Sequence, residues 1–137
     1  METLYDDTIW PLPKTLGVLF AVYEEIQYLA NPNIGATIHD RYFSMAQDSP
    51  YTAFQRLNRL AEVQLRQGMR RDRKRASRLS NEVKSLMTKL DLSSTATPIP
   101  HSFTTDEKNF FILGYYLRKN WVPTKQNDQN KEETDHE

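Results

Sequence analysis

The chain has no cysteine in 137 residues, which excludes disulfides and thiolate metal sites and leaves the interior to packing alone. It also lacks any apolar run near the roughly 18 residues that a membrane span requires. Its first residues, Met1-Glu2-Thr3-Leu4-Tyr5-Asp6-Asp7, are acidic and carry neither the basic n-region nor the apolar h-region of a secretory signal. These absences point to a soluble, cytoplasmic protein with no membrane partner. Chemistry is equally sparse. The three histidines, His39, His101 and His136, lie far apart, no His-Glu-x-x-His spacing occurs, and no glycine-rich loop is present to cradle phosphate. His39 and Asp40 are adjacent, but on a helix neighbours diverge by about 100°, a poor geometry for a catalytic dyad. The expectation is a protein that is not an enzyme and holds neither metal nor cofactor.

What the chain has in quantity is apolar residues at spacings of three and four, the pattern of amphipathic helices. It reads as all-α, one compact bundle of about four to five helices, since a chain of this length supports a single modest core. Leu16, Leu19, Phe20, Tyr23, Ile26 and Ala30 make one face of a first helix over 14–30, opened by Pro13 and ended by Asn31-Pro32. After a turn at Asn33-Ile34-Gly35, Thr37 to Ala46 forms a short segment whose Ile38, Tyr42 and Met45 share a face. Ser49 caps the next helix with Pro50 at its first position, and Phe54, Leu57, Leu60, Ala61 and Leu65 face inward.

Gly68 admits two readings. On a continuous helix the next stripe, Leu79, Val83, Leu86 and Leu90, starts about 40° from Leu65, so one long rod is possible. The alternative is a turn over 67–72 and an antiparallel pair that buries both stripes against each other; the turn is preferred because it gives each stripe a partner. Ser93 to Pro100 is a loop by composition. Thr104 and Glu107 fit a capping box opening a final helix over 105–119, with Phe110, Phe111, Gly114, Tyr115 and Leu117 inward. Gly114, costly inside a helix, predicts the close approach of another backbone. The expected division is an N-terminal arm over 1–12, the bundle over 13–122, and a disordered acidic tail over 123–137 with no apolar residue beyond Pro123.

The formal net charge of zero conceals a sorting of charge along the chain. From Arg41 to Lys89 there are 12 basic residues against Asp48, Glu62, Asp72 and Glu82, while both termini are acidic. The densest part is Arg66, Arg70, Arg71, Arg73, Lys74, Arg75 and Arg78, interrupted by Asp72 alone. In helical phase with Leu79 and Leu86, Arg70, Arg73 and Lys74 point away from the apolar stripe, Arg71 and Arg78 flank it, and Arg75 lies near its edge. On the preceding helix Arg59 points outward and Arg56 flanks. A basic ridge results. Guanidinium forks match phosphate, so the ridge suits a nucleic-acid backbone read without base contacts. A charged face that is merely solvated is the plain alternative; the local imbalance favours nucleic acid. The segment lacks the Trp, Phe or Leu face of a membrane-surface helix. Most aromatics, Phe20, Phe54, Phe110 and Phe111 among them, sit at core spacing. Of the adjacent pairs Tyr42-Phe43 and Tyr115-Tyr116, one member each is free to meet a partner subunit. Asp40 and Arg41 read as a local ion pair or a partner contact, and Glu24-Glu25 as a solvated face.

Two stretches carry a resemblance: Asn31-Pro32-Asn33-Ile34-Gly35-Ala36-Thr37-Ile38-His39-Asp40-Arg41-Tyr42-Phe43, and Phe110-Phe111-Ile112-Leu113-Gly114-Tyr115-Tyr116-Leu117-Arg118-Lys119. With the Phe54-Gln55-Arg56-Leu57 helix between them, they resemble the C-terminal region of the large subunit of the type I-C CRISPR Cascade complex. A free-standing chain of this length resembles the small subunit made from that gene by internal translation. The resemblance runs from about Leu16 to Lys119 and is loosest in the arginine-dense middle. It departs from the family after Tyr116, where a His-Gln type continuation is more usual. It implies a non-catalytic bundle lying along the guide-RNA-bound backbone subunits, with the large subunit and a second copy of itself as further partners. It also implies non-sequence-specific contact with single-stranded DNA of the R-loop, the displaced strand. By charge and position, Arg56, Arg59, Arg66, Arg70, Arg71, Arg73, Lys74, Arg75 and Arg78 would track that DNA, and Asp40, Arg41, Tyr42 and Tyr116 would meet partner subunits. Two other readings of the residues stay open: a helix-turn-helix regulator with Thr52 to Leu90 as its reading unit, and a protein-only adaptor whose arginines meet acidic partners.

Overall fold

Leu16 to Val22 is apolar on every side, and a helix with no polar face must be enclosed by other elements. The computed structural model, which describes residues 10–94 and 99–121, places this run in α1, Leu12–Ala30. Around it stand α2 (Ile38–Asp48), α3 (Pro50–Arg71), α4 (Arg73–Ser94) and α5 (Thr105–Lys119), each in contact with α1. Of the 19 residues of α1, 14 are buried, so the single face expected from the sequence is only part of a hub. The fold is all-helical, and among the described residues there is no strand. No described helix is long and apolar enough to cross a membrane. The expected arm lies mostly, and the expected tail wholly, outside the described residues; Trp10, near the arm's end, is buried in the core.

The centre is aromatic. Phe20 meets Phe43, Phe54, Phe111 and Tyr115 with ring centroids 5.5–6.4 Å apart, mostly edge to face, the geometry that ring quadrupoles favour. Each such side chain contributes roughly 1.5–3 kcal/mol by leaving water. Buried polar groups are matched. Gln27 Oε1 accepts the Ile38 amide at 2.8 Å, docking the start of α2 on α1. The Tyr23 hydroxyl donates to Asn58 Oδ1 at 2.5 Å, tying α1 to α3.

Local signals set the ends. Thr37 and Asp40 form a reciprocal capping box at α2 (3.2 and 3.1 Å); Thr104 and Glu107 form another at α5 (3.2 and 2.7 Å). Each satisfies two amides that the helix start leaves unpaired. The prediction at Gly114 holds: a Cβ there would collide with the Lys14 carbonyl, and one on Gly17 with the Phe111 carbonyl. At that crossing the backbones of α1 and α5 are in contact.

The chain breaks into two helices as preferred, but only at the last residue of the expected turn. The helix runs through the glycine, whose bare Cα lies against Leu29 and Ala76, and breaks four residues later at Asp72 alone. Asp72 serves both helices: its amide donates to the Gly68 carbonyl at 2.8 Å, its carbonyl accepts the Ala76 amide at 2.9 Å, and Oδ1 accepts the Arg75 amide at 3.1 Å. Aspartate's preference for the N-cap, more than glycine's flexibility, decides where the rod ends. Both stripes then find α1, with Leu79 and Leu86 buried. Further corrections concern α5, whose Phe110 and Leu117 are exposed, and α4, which extends through Ser93 and Ser94, the first residues of the expected loop.

Candidate nucleic-acid interface

On α3, Arg59, Val63, Arg66 and Arg70 stand at i, i+4, i+7 and i+11, one column opposite the buried face of Phe54, Leu57, Ala61 and Gly68. The column is about 16 Å long at 1.5 Å per residue. All its members are exposed, as are Arg56 on its flank and Arg71 at the helix end. The corner at Asp72 turns this line into α4, where Arg73, Lys74 and Arg78 are exposed in turn. Among the described residues, none of these eight cations pairs with a carboxylate.

Their placement works against the helices that carry them. Arg70 and Arg71 suit the negative end of the α3 dipole, but Arg73, Lys74 and Arg75 fill the first turn of α4, where positive charge is unfavourable and where no acid follows Asp72. Local conflict of this kind is expected at sites that serve something other than stability.

Arg75 is different. It is half-buried, and its guanidinium pairs with Glu25 Oε2 at 3.2 Å. Glu25 also receives Arg118 at 2.8 Å, and Arg118 in turn holds both oxygens of Glu82, at 2.6 and 3.0 Å. Beside them, Glu24 Oε1 accepts the Tyr115 hydroxyl at 2.5 Å and Lys119 Nζ at 3.3 Å. Six charges from α1, α4 and α5 thus compensate one another under the C-terminal half of α5. Burial alone would raise the Glu25 carboxyl, but Arg118 and then Arg75 outweigh it and hold it below the ordinary 4.5. Burial, reinforced by the bond to Glu24, pushes the Tyr115 hydroxyl far above its usual value. Burial also raises Tyr23, with Glu62 adding to it.

Sequence reasoning treated Glu24-Glu25 as a solvated face and passed over Arg118. A signal was available for each: the glutamates sit inside an apolar run, and Arg118 falls at i+7 from Phe111 and i+4 from Gly114, on the buried face of α5. The residues expected to meet partners are scattered. Asp40 is committed to the capping box rather than to Arg41, which is exposed with no carboxylate partner among the described residues. Tyr42 packs against the core edge, and Tyr116 is exposed with its ring 4.8 Å from that of Tyr115. No group of three or more potential metal ligands is gathered among the described residues.

These features define a helical bundle protein with an arginine ridge turned outward and a neutralised ion network turned inward. The chain belongs to the family of CRISPR-associated proteins named Cas_Csd1, whose model matches residues 5–122. No curated protein matches it.

Proposed function

We propose that this chain is the non-catalytic small subunit of a type I-C-like Cascade interference complex, acting in the cytoplasm. It packs along the backbone subunits and guide RNA, beside the large subunit and a second copy of itself, and holds R-loop DNA, the displaced strand, on the α3–α4 ridge. The observation that carries this reading is the set of eight exposed cations with no carboxylate partner among the described residues, in a chain of a CRISPR-associated family. In RNA-guided recognition base pairing reads the sequence, so the protein's part is to stabilise a displaced strand through its backbone. Arginine forks supply that without base readout. Two helices of 22 residues joined by one residue differ from a helix-turn-helix unit, which needs a 3–4-residue turn.

The test is reconstitution with backbone subunits and guide RNA, comparing the natural chain with an Arg70→Glu, Arg71→Glu, Arg73→Glu, Arg78→Glu variant. Both should join the complex stoichiometrically, and R-loops held by the variant should dissociate faster and respond less to salt. Unchanged R-loop lifetime would contradict the proposal. Loss of assembly with DNA affinity intact would assign the arginines to an acidic protein surface instead.

A further inference from the structure

Tyr28 lies one turn beyond Glu24 on α1 and between the two columns that Glu24 and Glu25 begin. Glu24 receives Lys119 and Tyr115 from α5, and Glu25 receives Arg75 from the ridge. Tyr28 therefore stands on the side of α1 whose glutamates hold Lys119 and Arg75, and on α5 Tyr116 adjoins Tyr115. The Tyr28 and Tyr116 residues are 41% and 46% exposed, whereas the core rings Phe20, Phe54, Phe111 and Tyr115 are packed inward. Around them the charge is layered. The Arg75 and Lys119 side chains are 42% and 45% exposed, whereas those of Glu25 and Glu24 are 29% and 7% exposed, so cations face solvent and the acids lie behind. Arg75, bound to Glu25, follows the exposed Arg73 and Lys74 in the first turn of α4, so this surface adjoins the α4 end of the ridge.

We infer that Tyr28 and Tyr116 are base-stacking residues for a single-stranded nucleic acid whose phosphates follow the arginine ridge, with Arg75 and Lys119 as the flanking cations. Aromatic faces interleaved with cations bind single strands with little sequence preference, because every base has a π-face. A duplex keeps its bases stacked inside and gains nothing from such a platform. The inference rests on the ridge reading and adds to its backbone contacts a base-stacking platform at two named residues.

The experiment measures binding of the full chain to a base-bearing single strand, an abasic strand of equal length and a duplex. The natural chain should prefer the base-bearing strand. Combined Tyr28→Ala and Tyr116→Ala changes should lower that affinity by about 30-fold or more while leaving the abasic strand, the duplex and the salt slope unchanged. Tyr→Phe at both positions should restore binding. Equal affinity of the natural chain for base-bearing and abasic strands, or a double alanine variant that binds as the natural chain does, would overturn the inference. So would failure of phenylalanine to rescue, which would point to the hydroxyls. If ridge reversals weaken both strands and the alanines weaken neither, stacking alone fails. If the ridge reversals change nothing, the ridge reading fails. Alanine variants that bind strands normally but no longer join the complex would show that the tyrosines face protein.

Discussion

The α3–α4 ridge and the network under α5 are built from the same residue types and do opposite things. In the network, Arg118 is buried and spends its guanidinium on Glu82 and Glu25; on the ridge, Arg70 and Arg73 are exposed and find no carboxylate among the described residues. Arg75 belongs to both, being part of the basic run by sequence and of the network by contact. What an arginine does is set by the carboxylates the fold brings to it, and Glu25 is 50 positions from Arg75.

The largest effect should come from cutting the network at its centre. Arg118→Ala leaves Glu82 and Glu25 without their buried partner and should cost about 3 kcal/mol, read as a fall in Tm of roughly 10 °C. Gly114→Ala should follow, at about 2 kcal/mol or more, because its Cβ forces apart the backbones that let α5 reach Glu24 and Glu25. Acid should act on the same network. Glu25 has its folded pKa below the unfolded value, so it contributes stability that is full above about pH 4.5 and lost as pH falls through the folded value. The melting temperature should therefore decline on acidification below about 4.5, and Glu25→Gln should flatten that slope. Smallest in stability is the ridge: Arg70→Glu, Arg71→Glu, Arg73→Glu and Arg78→Glu together should shift it by no more than about 1–2 kcal/mol. A large loss of stability in that variant would erase the distinction between the regions.

The bundle was legible where its signals are local. Both Pro-led helix starts and the Thr104–Glu107 box depend on residues within one or two turns, and all three appear in the fold; the close approach at Gly114 is with α1, and it was legible because a glycine inside a helix marks such a contact. The corner was drawn too wide because glycine and Asp72 compete as helix breakers, and tertiary contact with Leu29 keeps Gly68 helical. Phe110 and Leu117 were assigned inward because periodicity finds the apolar arc of α5 without saying which part of it α1 covers. The ridge was visible as a run of charge, but the network was not, since its partners come from three helices far apart in sequence. That changes the design of any charge-reversal test: Arg75→Glu would set a carboxylate against Glu25 and confound binding with folding, so Arg78 replaces it.

The most direct test titrates the full chain with a single-stranded oligonucleotide between about 50 and 200 mM salt, for the natural sequence and for the Arg70, Arg71, Arg73 and Arg78 reversals. With about four phosphates neutralised, the slope of log affinity against log salt should be roughly −3, and the reversals should weaken binding and drive that slope toward zero. The same slope and affinity in both proteins would mean that the ridge is a solvated face and that nucleic acid, if bound, is held elsewhere.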